Sequence, residues 1–493
     1  MPLSRYPLLY QINTRVTLTD LSRLLGRSAT LDDLADAELD RLAALGFEWI
    51  WLLSVWTTGA AAQGISRSSK EWQQEFQQTL PDLRQEDIVG SGFAIREYIV
   101  HPNLGGPAAL ARLRARMRQR GLRLMLDFVP NHVAPDHPWI NQDPDYFVHG
   151  SEADLMRSPQ NYCRVETQAG PLLLAHGRDP FFDGWPDTLQ LNFGNPELQH
   201  SMLGELMSIA RQCDGVRCDM AMLILPEVFE RTWNIRADPF WPKATEVVRR
   251  EYPDFLFMAE VYWGLEWTLQ QQGFHYTYDK RLYDRLREPH ACEIREHLRA
   301  GMDYQDKLAR FLENHDEQRA AVTFPPAVHM AAAVLTYLSP GLRFFHDGQI
   351  EGRRARISPH LGRRPDEPAD HELQQFYSRL LAILRHPTMR EGAWSLLECV
   401  RTWDGNETSD NFVAFRWQRQ PHEWLVAVVN HSPRQSQCFI AMPLPALAGH
   451  TVRFQDLLSP VFYDRPGDDL LSRGLYIDVP GWGCHVFDMQ WLA

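Results

Sequence analysis

The sequence predicts an α/β chain: a closed barrel of eight parallel strands and eight helices, an irregular insertion after the third strand, and a C-terminal antiparallel β-sandwich. Three observations predict it. Short apolar runs alternate with helix-period segments eight times before Pro387, the pattern of parallel crossovers. The alternation lapses from residue 133 to about 186, where Pro, Asp, His and Trp are frequent. Beyond Pro387 short alternating runs separated by turn residues replace it. The expected division is a barrel over 1–132 and 188–387, an insertion over 133–187 and a sandwich over 388–493.

Taken in order, residues 8–16 (LLYQINTRV) read as the first strand, and 35–46 as a helix closed by glycine. Residues 47–55 (FEWIWLLSV) form the second strand. A helix over 107–120 carries Leu110, Leu113 and Met117 on one side and five arginines on the other, which read as a solvated face. Residues 122–128 (LRLMLDF) are the third strand. A helix opening at Asn195-Pro196 leads to the fourth, in DGVRCDMA at 214–221. Strands at 255–261, 274–279, 308–312 and 342–346 follow, spaced by helices near 240–251, 265–272, 290–301, 327–338 and 372–385.

Bulk composition narrows the function. A net charge of −13 argues against nucleic-acid and anionic-membrane partners and favours a neutral substrate. Sixteen Trp, fifteen Tyr and twenty-four Phe supply flat rings suited to sugar faces as well as to cores. The seven cysteines contain no CxxC pair, so neither a disulfide framework nor a zinc site is indicated, and they read as reduced and mostly buried. With no signal-peptide pattern and no run of eighteen apolar residues, a cytoplasmic protein is expected.

In such a barrel chemistry gathers where the strands end. Those ends supply Tyr10 and Gln11, then Asp127, Asn131 and His132, then Arg217 and Asp219, then Glu260, and finally His315 and Asp316. Arg217 and Asp219, two apart on a strand, point the same way, and a guanidinium beside a carboxylate favours its ionised form. Glu260 lies in apolar sequence, which raises a carboxyl pKa. One ionised and one protonated acid are what glycosidic cleavage requires.

The chain is similar to the α-amylase superfamily, glycoside hydrolase family 13. The resemblance is carried by DFVPNH (127–132), DGVRCDMA (214–221), AEVYW (259–263) and FLENHDEQR (311–319), with LLYQINTRV as a further landmark. It implies Asp219 as nucleophile, Glu260 as general acid and base, and Asp316 as the third acid. Arg217 would orient Asp219, Asp127 would support Arg217, and His132 and His315 would contact the sugar. Phe93, Tyr10 and Trp263 complete the expected substrate contacts. A retaining double displacement would follow, with the two carboxyls about 5 to 5.5 Å apart. The expected activity is that of a retaining α-glycosidase on short α-glucans or disaccharides. The alternative is a transglycosylase or isomerase, maltosyltransferase-like or trehalose-synthase-like.

Three departures qualify the resemblance. The Lys-His pair that often follows the nucleophile is replaced by Met220-Ala-Met-Leu223, and the usual stacking tyrosine by Phe93. Asn131 is the one candidate calcium ligand, but Asp136, Asp143, Asp145 and Asp179 show no ligand spacing, so no cofactor is required and the balance is against a structural calcium. Arg353, Arg354, Arg363 and Arg364 follow the eighth strand. A salt-bridged loop is the favoured reading, and a site for phosphate or a sugar phosphate the sharper one. A silent binding subunit would have lost its nucleophile or acid, and all three acids remain.

Overall fold

Runs rich in Leu, Val, Ile, Trp and Phe have nowhere to expose a face, and they pair as a fully parallel sheet buried on both sides. In the computed structural model, which describes residues 5–492, eight strands close a barrel: β1 Leu8–Asn13, β2 Trp49–Leu53, β3 Arg123–Phe128, β4 Gly215–Cys218, β5 Leu256–Ala259, β6 Tyr276–Tyr278, β7 Leu308–Arg310 and β8 Leu342–His346. Each lies parallel to its neighbours, and β1 pairs with both β2 and β8. Register sets the layer that carries function: Arg217 stands opposite Asp127 on one side and Met258 on the other. The approach of β4 to β5 depends on Gly215, where a Cβ would meet the Leu256 carbonyl oxygen at 2.8 Å.

The first strand is shorter than its sequence suggests. Asn13 accepts a hydrogen bond from the Val16 amide and caps a helix over Thr14–Leu25, closed by Gly26 in the left-handed region. β-branched residues at 14, 16, 17 and 19 give that helix the look of strand and loop. The arginine face of the helix Gly106–Arg118 is ion-paired as well as solvated. Arg112, Arg116 and Arg120 reach Asp32, Asp36 and Asp40, while Arg114 and Arg118 share Asp214.

Between β2 and β3 lies a second excursion that the alternation does not announce. It holds the helices Ala60–Ser68 and Lys70–Thr79; Phe76 of the second packs with Leu80 and Ile88 on Leu361 of the loop after β8, and Ser66 of the first hydrogen-bonds His360 of the same loop. The insertion after β3 also has more regular structure than its composition suggests. A hairpin pairs Tyr162–Thr167 with Gly170–Ala175, and a helix Glu152–Arg157 opens on a Ser151/Asp154 capping box. At the C-terminus a six-stranded and a three-stranded antiparallel sheet enclose their own apolar core, including Phe412, Val426, Ile440 and Phe487. No cysteine is disulfide-bonded. Cys292 is exposed, and only Cys213, Cys218 and Cys438 are fully buried. No described helix is long and apolar enough to cross a membrane.

Candidate active site

Arg217 is fully buried at the end of β4, and its guanidinium organises the site. Nη1 donates to Asp219 Oδ1 at 2.6 Å and Nη2 to Glu260 Oε2 at 2.7 Å, so two adjacent nitrogens of one rigid fork hold two carboxyls side by side. Asp127 Oδ1 lies 3.5 Å from Nη1, and Nε donates to the Tyr278 hydroxyl at 3.4 Å. Above and beside the guanidinium, the Trp51 and Phe93 rings stand 5.3 and 5.2 Å from its central carbon.

The strand ends are sewn together. Asp219 N–H donates to Phe128 O, Glu260 N–H to Cys218 O and Ala221 N–H to Glu260 O. Met220 takes a left-handed backbone, φ 40°, and aims its N–H at Glu260 Oε2 at 2.8 Å. A non-glycine residue pays about 1–3 kcal/mol for such a conformation, and here it sits between the two central acids. Met220 to Leu223 therefore do structural work: Ala221–Ile224 is a buried turn.

One guanidinium cannot neutralise three carboxyls. Burial pushes Asp127 up to about 7, with Arg217 opposing it and the Asp219 charge adding to it. Burial also raises Asp219 and Glu260, again against Arg217, and Glu260 is raised further by the charges of Asp219 and Asp316. The cluster thus holds a proton where isolated carboxylates would not.

The two histidines are neutral. Burial takes His132 down to about 3 and His315 well below the ordinary imidazole value. Gln11 and His315 share a hydrogen bond of 2.9 Å at Nδ1, while Nε2 lies 3.1 Å from Asp316 Oδ2. Phe93 packs on the His315 ring at 5.2 Å. Asp316, with its side chain 43% exposed, is the acid open to the barrel mouth. Its loop is fixed from below, where Glu313 binds Arg319 and His346.

The predicted residues do not all meet. Asp127, Phe93, Arg217, Asp219, Glu260, His315 and Asp316 form one connected set, and His132 joins from the end of β3 with its ring 5.1 Å from Trp185. Tyr10 is on the wrong face of β1: its ring packs on Phe47 and its hydroxyl donates to Asp347, while its neighbour Gln11 points to the site. Period-two alternation allows only one of the pair inside. Trp263 stands apart at the rim, 40% exposed and edge-on to Phe181 at 5.0 Å. Sequence reasoning missed Tyr262, whose hydroxyl donates to Glu260 Oε1 at 2.7 Å, and Trp51, whose indole donates to Asp127 Oδ2 at 3.2 Å. Two-residue spacing from Glu260 was the available signal for Tyr262.

Asn131, the candidate calcium ligand, is engaged by Gln190. Its side-chain amide and that of Gln190 exchange hydrogen bonds of 3.1 and 3.0 Å, and Gln190 also donates to the Asn131 carbonyl. Among the described residues no group of three or more His, Cys, Asp or Glu is placed to hold a metal. Of Arg353, Arg354, Arg363 and Arg364 after β8, two are ion-paired. Arg363 pairs with Asp82 and Asp87, Arg364 with Asp20 and Asp347, and Arg354 donates to Ala321 O. The salt-bridged reading of that loop describes Arg363 and Arg364.

A barrel whose strand ends converge three acids on an arginine defines a class, and comparison places the chain within it. The model of the alpha-amylase catalytic domain matches residues 31–355, and the chain belongs to that family. It is 25% identical over 319 residues to alpha-amylase MalA of Haloarcula japonica, covering 62% of this chain and 42% of that one. To the trehalose synthase/amylase TreS of Mycobacterium tuberculosis it is 26% identical over 272 residues, covering 48% and 44%. The chain spans about half or less of the length of these relatives. Among solved structures, an alpha-amylase from Lactobacillus plantarum superposes with a TM-score of 0.68 at 20% identity, over 98% and 99% of the two chains.

Proposed function

We propose that the protein is a retaining α-glycosidase that cleaves α-glucosidic bonds of short α-glucans or disaccharides. The observation that carries the reading is the pair of hydrogen bonds from Arg217 to Asp219 and Glu260, at 2.6 and 2.7 Å. Asp219 attacks the anomeric carbon as Glu260 gives its proton to the departing oxygen, and the glycosyl unit is then held as an ester on Asp219. Glu260, now ionised, takes a proton from water, which attacks the same carbon and releases Asp219. Asp316 and the neutral imidazoles of His132 and His315 bind sugar hydroxyls, and Phe93 lies against a ring face.

A second reading replaces water by a sugar hydroxyl. The name of the relative TreS favours it, and so does the absence of a Lys-His pair after Asp219. Chromatography of products from maltose, trehalose and maltotetraose separates the two. Hydrolysis gives glucose and shorter chains; rearranged or longer sugars mean transfer.

A further inference from the structure

Outside the Arg217 cluster, two acids among the described residues, Asp136 and Asp187, carry a buried oxygen with no hydrogen-bond partner, and Asp187 is the more deeply buried of the two. Asp187 is 3% exposed, and its Oδ2 has no hydrogen-bond partner. It lies within the turn 185–188, closed by the Thr188 amide donating to Trp185 O at 3.0 Å. This turn flanks His132 through the Trp185 ring. Facing Asp187 from the other side is His360, with Nδ1 3.9 Å from Oδ2, hydrogen-bonded to Ser66 Oγ at 2.9 Å and packed on Trp72. His360 belongs to the loop after β8, four residues beyond Arg356, whose guanidinium donates to Asp316 O at 3.2 Å. The Asp187–His360 pair is thus tied by short segments to His132 on one side and Asp316 on the other.

A buried polar atom left unpaired is destabilising, and it is the kind of group a ligand completes. Burial pushes the Asp187 carboxyl up to about 7, so both charge states are accessible near neutrality. A sugar hydroxyl suits either, because it donates and accepts. The wall behind the pair has its own apolar packing and is pinned by Arg363 to Asp87 and by Arg356 to Glu75, each at 2.7 Å.

We propose that Asp187, backed by His360, binds a hydroxyl of the sugar in the cleavage pocket at the end remote from the bond broken, so that the pocket takes one terminal unit and the enzyme works from the chain end. This rests on the glycosidase reading above. The test uses an aryl α-glucoside, its 4-deoxy and 6-deoxy analogues, and an aryl maltoheptaoside with its non-reducing end free or blocked by a 4,6-ethylidene group. Wild-type protein is expected to cleave the glucoside and the free heptaoside, and to leave the blocked one intact. Asp187→Asn should lower kcat/KM on the glucoside about ten- to hundredfold, mainly through KM, with the penalty absent on the deoxy donor that lacks the contacted hydroxyl. His360→Gln should show the same pattern more weakly. Cleavage of the blocked donor at the rate of the free one overturns the proposal, and so does an Asp187→Asn penalty equal on every deoxy donor. If wild-type protein turns over no α-glucoside at all, the glycosidase reading itself fails.

Discussion

Arg217 holds two carboxyls on adjacent nitrogens and has a third within 3.5 Å, so its planar fork matters as much as its charge. Lysine offers a point charge on a flexible stem. Arg217→Lys should therefore lower kcat about a hundredfold or more, measured by steady-state kinetics on an aryl α-glucoside. Tyr262 donates to Glu260 and stabilises its ionised form. In Tyr262→Phe the Glu260 pKa rises further, and because the protonated acid is the active form, the alkaline limb of kcat/KM should move up by about half a pH unit. A limb that moves down would contradict the assignment. Asp127 tests the charge balance through stability. Its pKa is raised from 3.8 to about 7, so the folded chain keeps this proton across that interval and the unfolded chain loses it. Its contribution is present below about 4 and fades as pH rises to about 7. Asp127→Asn should flatten the melting temperature over that window relative to wild type.

At the scale of elements, what the sequence makes legible follows from periodicity. The barrel strands stand out because an apolar run with no polar face fits a parallel sheet covered on both sides, and the strand ends then name the acids. What stays hidden has competing local signals. Thr14–Leu25 is capped at Asn13, yet its β-branched residues argue for strand. Tyr10 and Gln11 are neighbours whose inward member only the closed barrel decides. The helix Lys70–Thr79 takes its packing partner from the loop after β8, at Leu361, far along the chain, which no local pattern announces. Gln190 carries no signal of its own in the sequence, and only the pairing of 132–133 with 189–190 sets it against Asn131. That amide pair makes a prediction: excess EDTA should leave the melting temperature within about 1 °C, and a fall of several degrees would restore a structural metal.

Over the whole molecule, barrel and sandwich share packing. Trp417, 1% exposed, carries its indole N–H to Leu338 O at 2.7 Å and packs edge-on against Tyr6, while Arg295 donates to Phe412 O. Trp417→Ala should cost about 3–5 kcal/mol, seen by calorimetry as one cooperative transition at lower temperature. Two separate transitions in the wild type would show that the units unfold independently. The proposed double displacement stands on Asp219 as nucleophile. Incubation with 5-fluoro-α-glucosyl fluoride, which forms the glycosyl ester faster than it is hydrolysed, followed by intact-mass and peptide analysis, tests it most directly. The expected result is one glycosyl adduct on the peptide containing Asp219, absent from a folded Asp219→Asn variant. An adduct on another carboxylate, or turnover undiminished in Asp219→Asn, would contradict it.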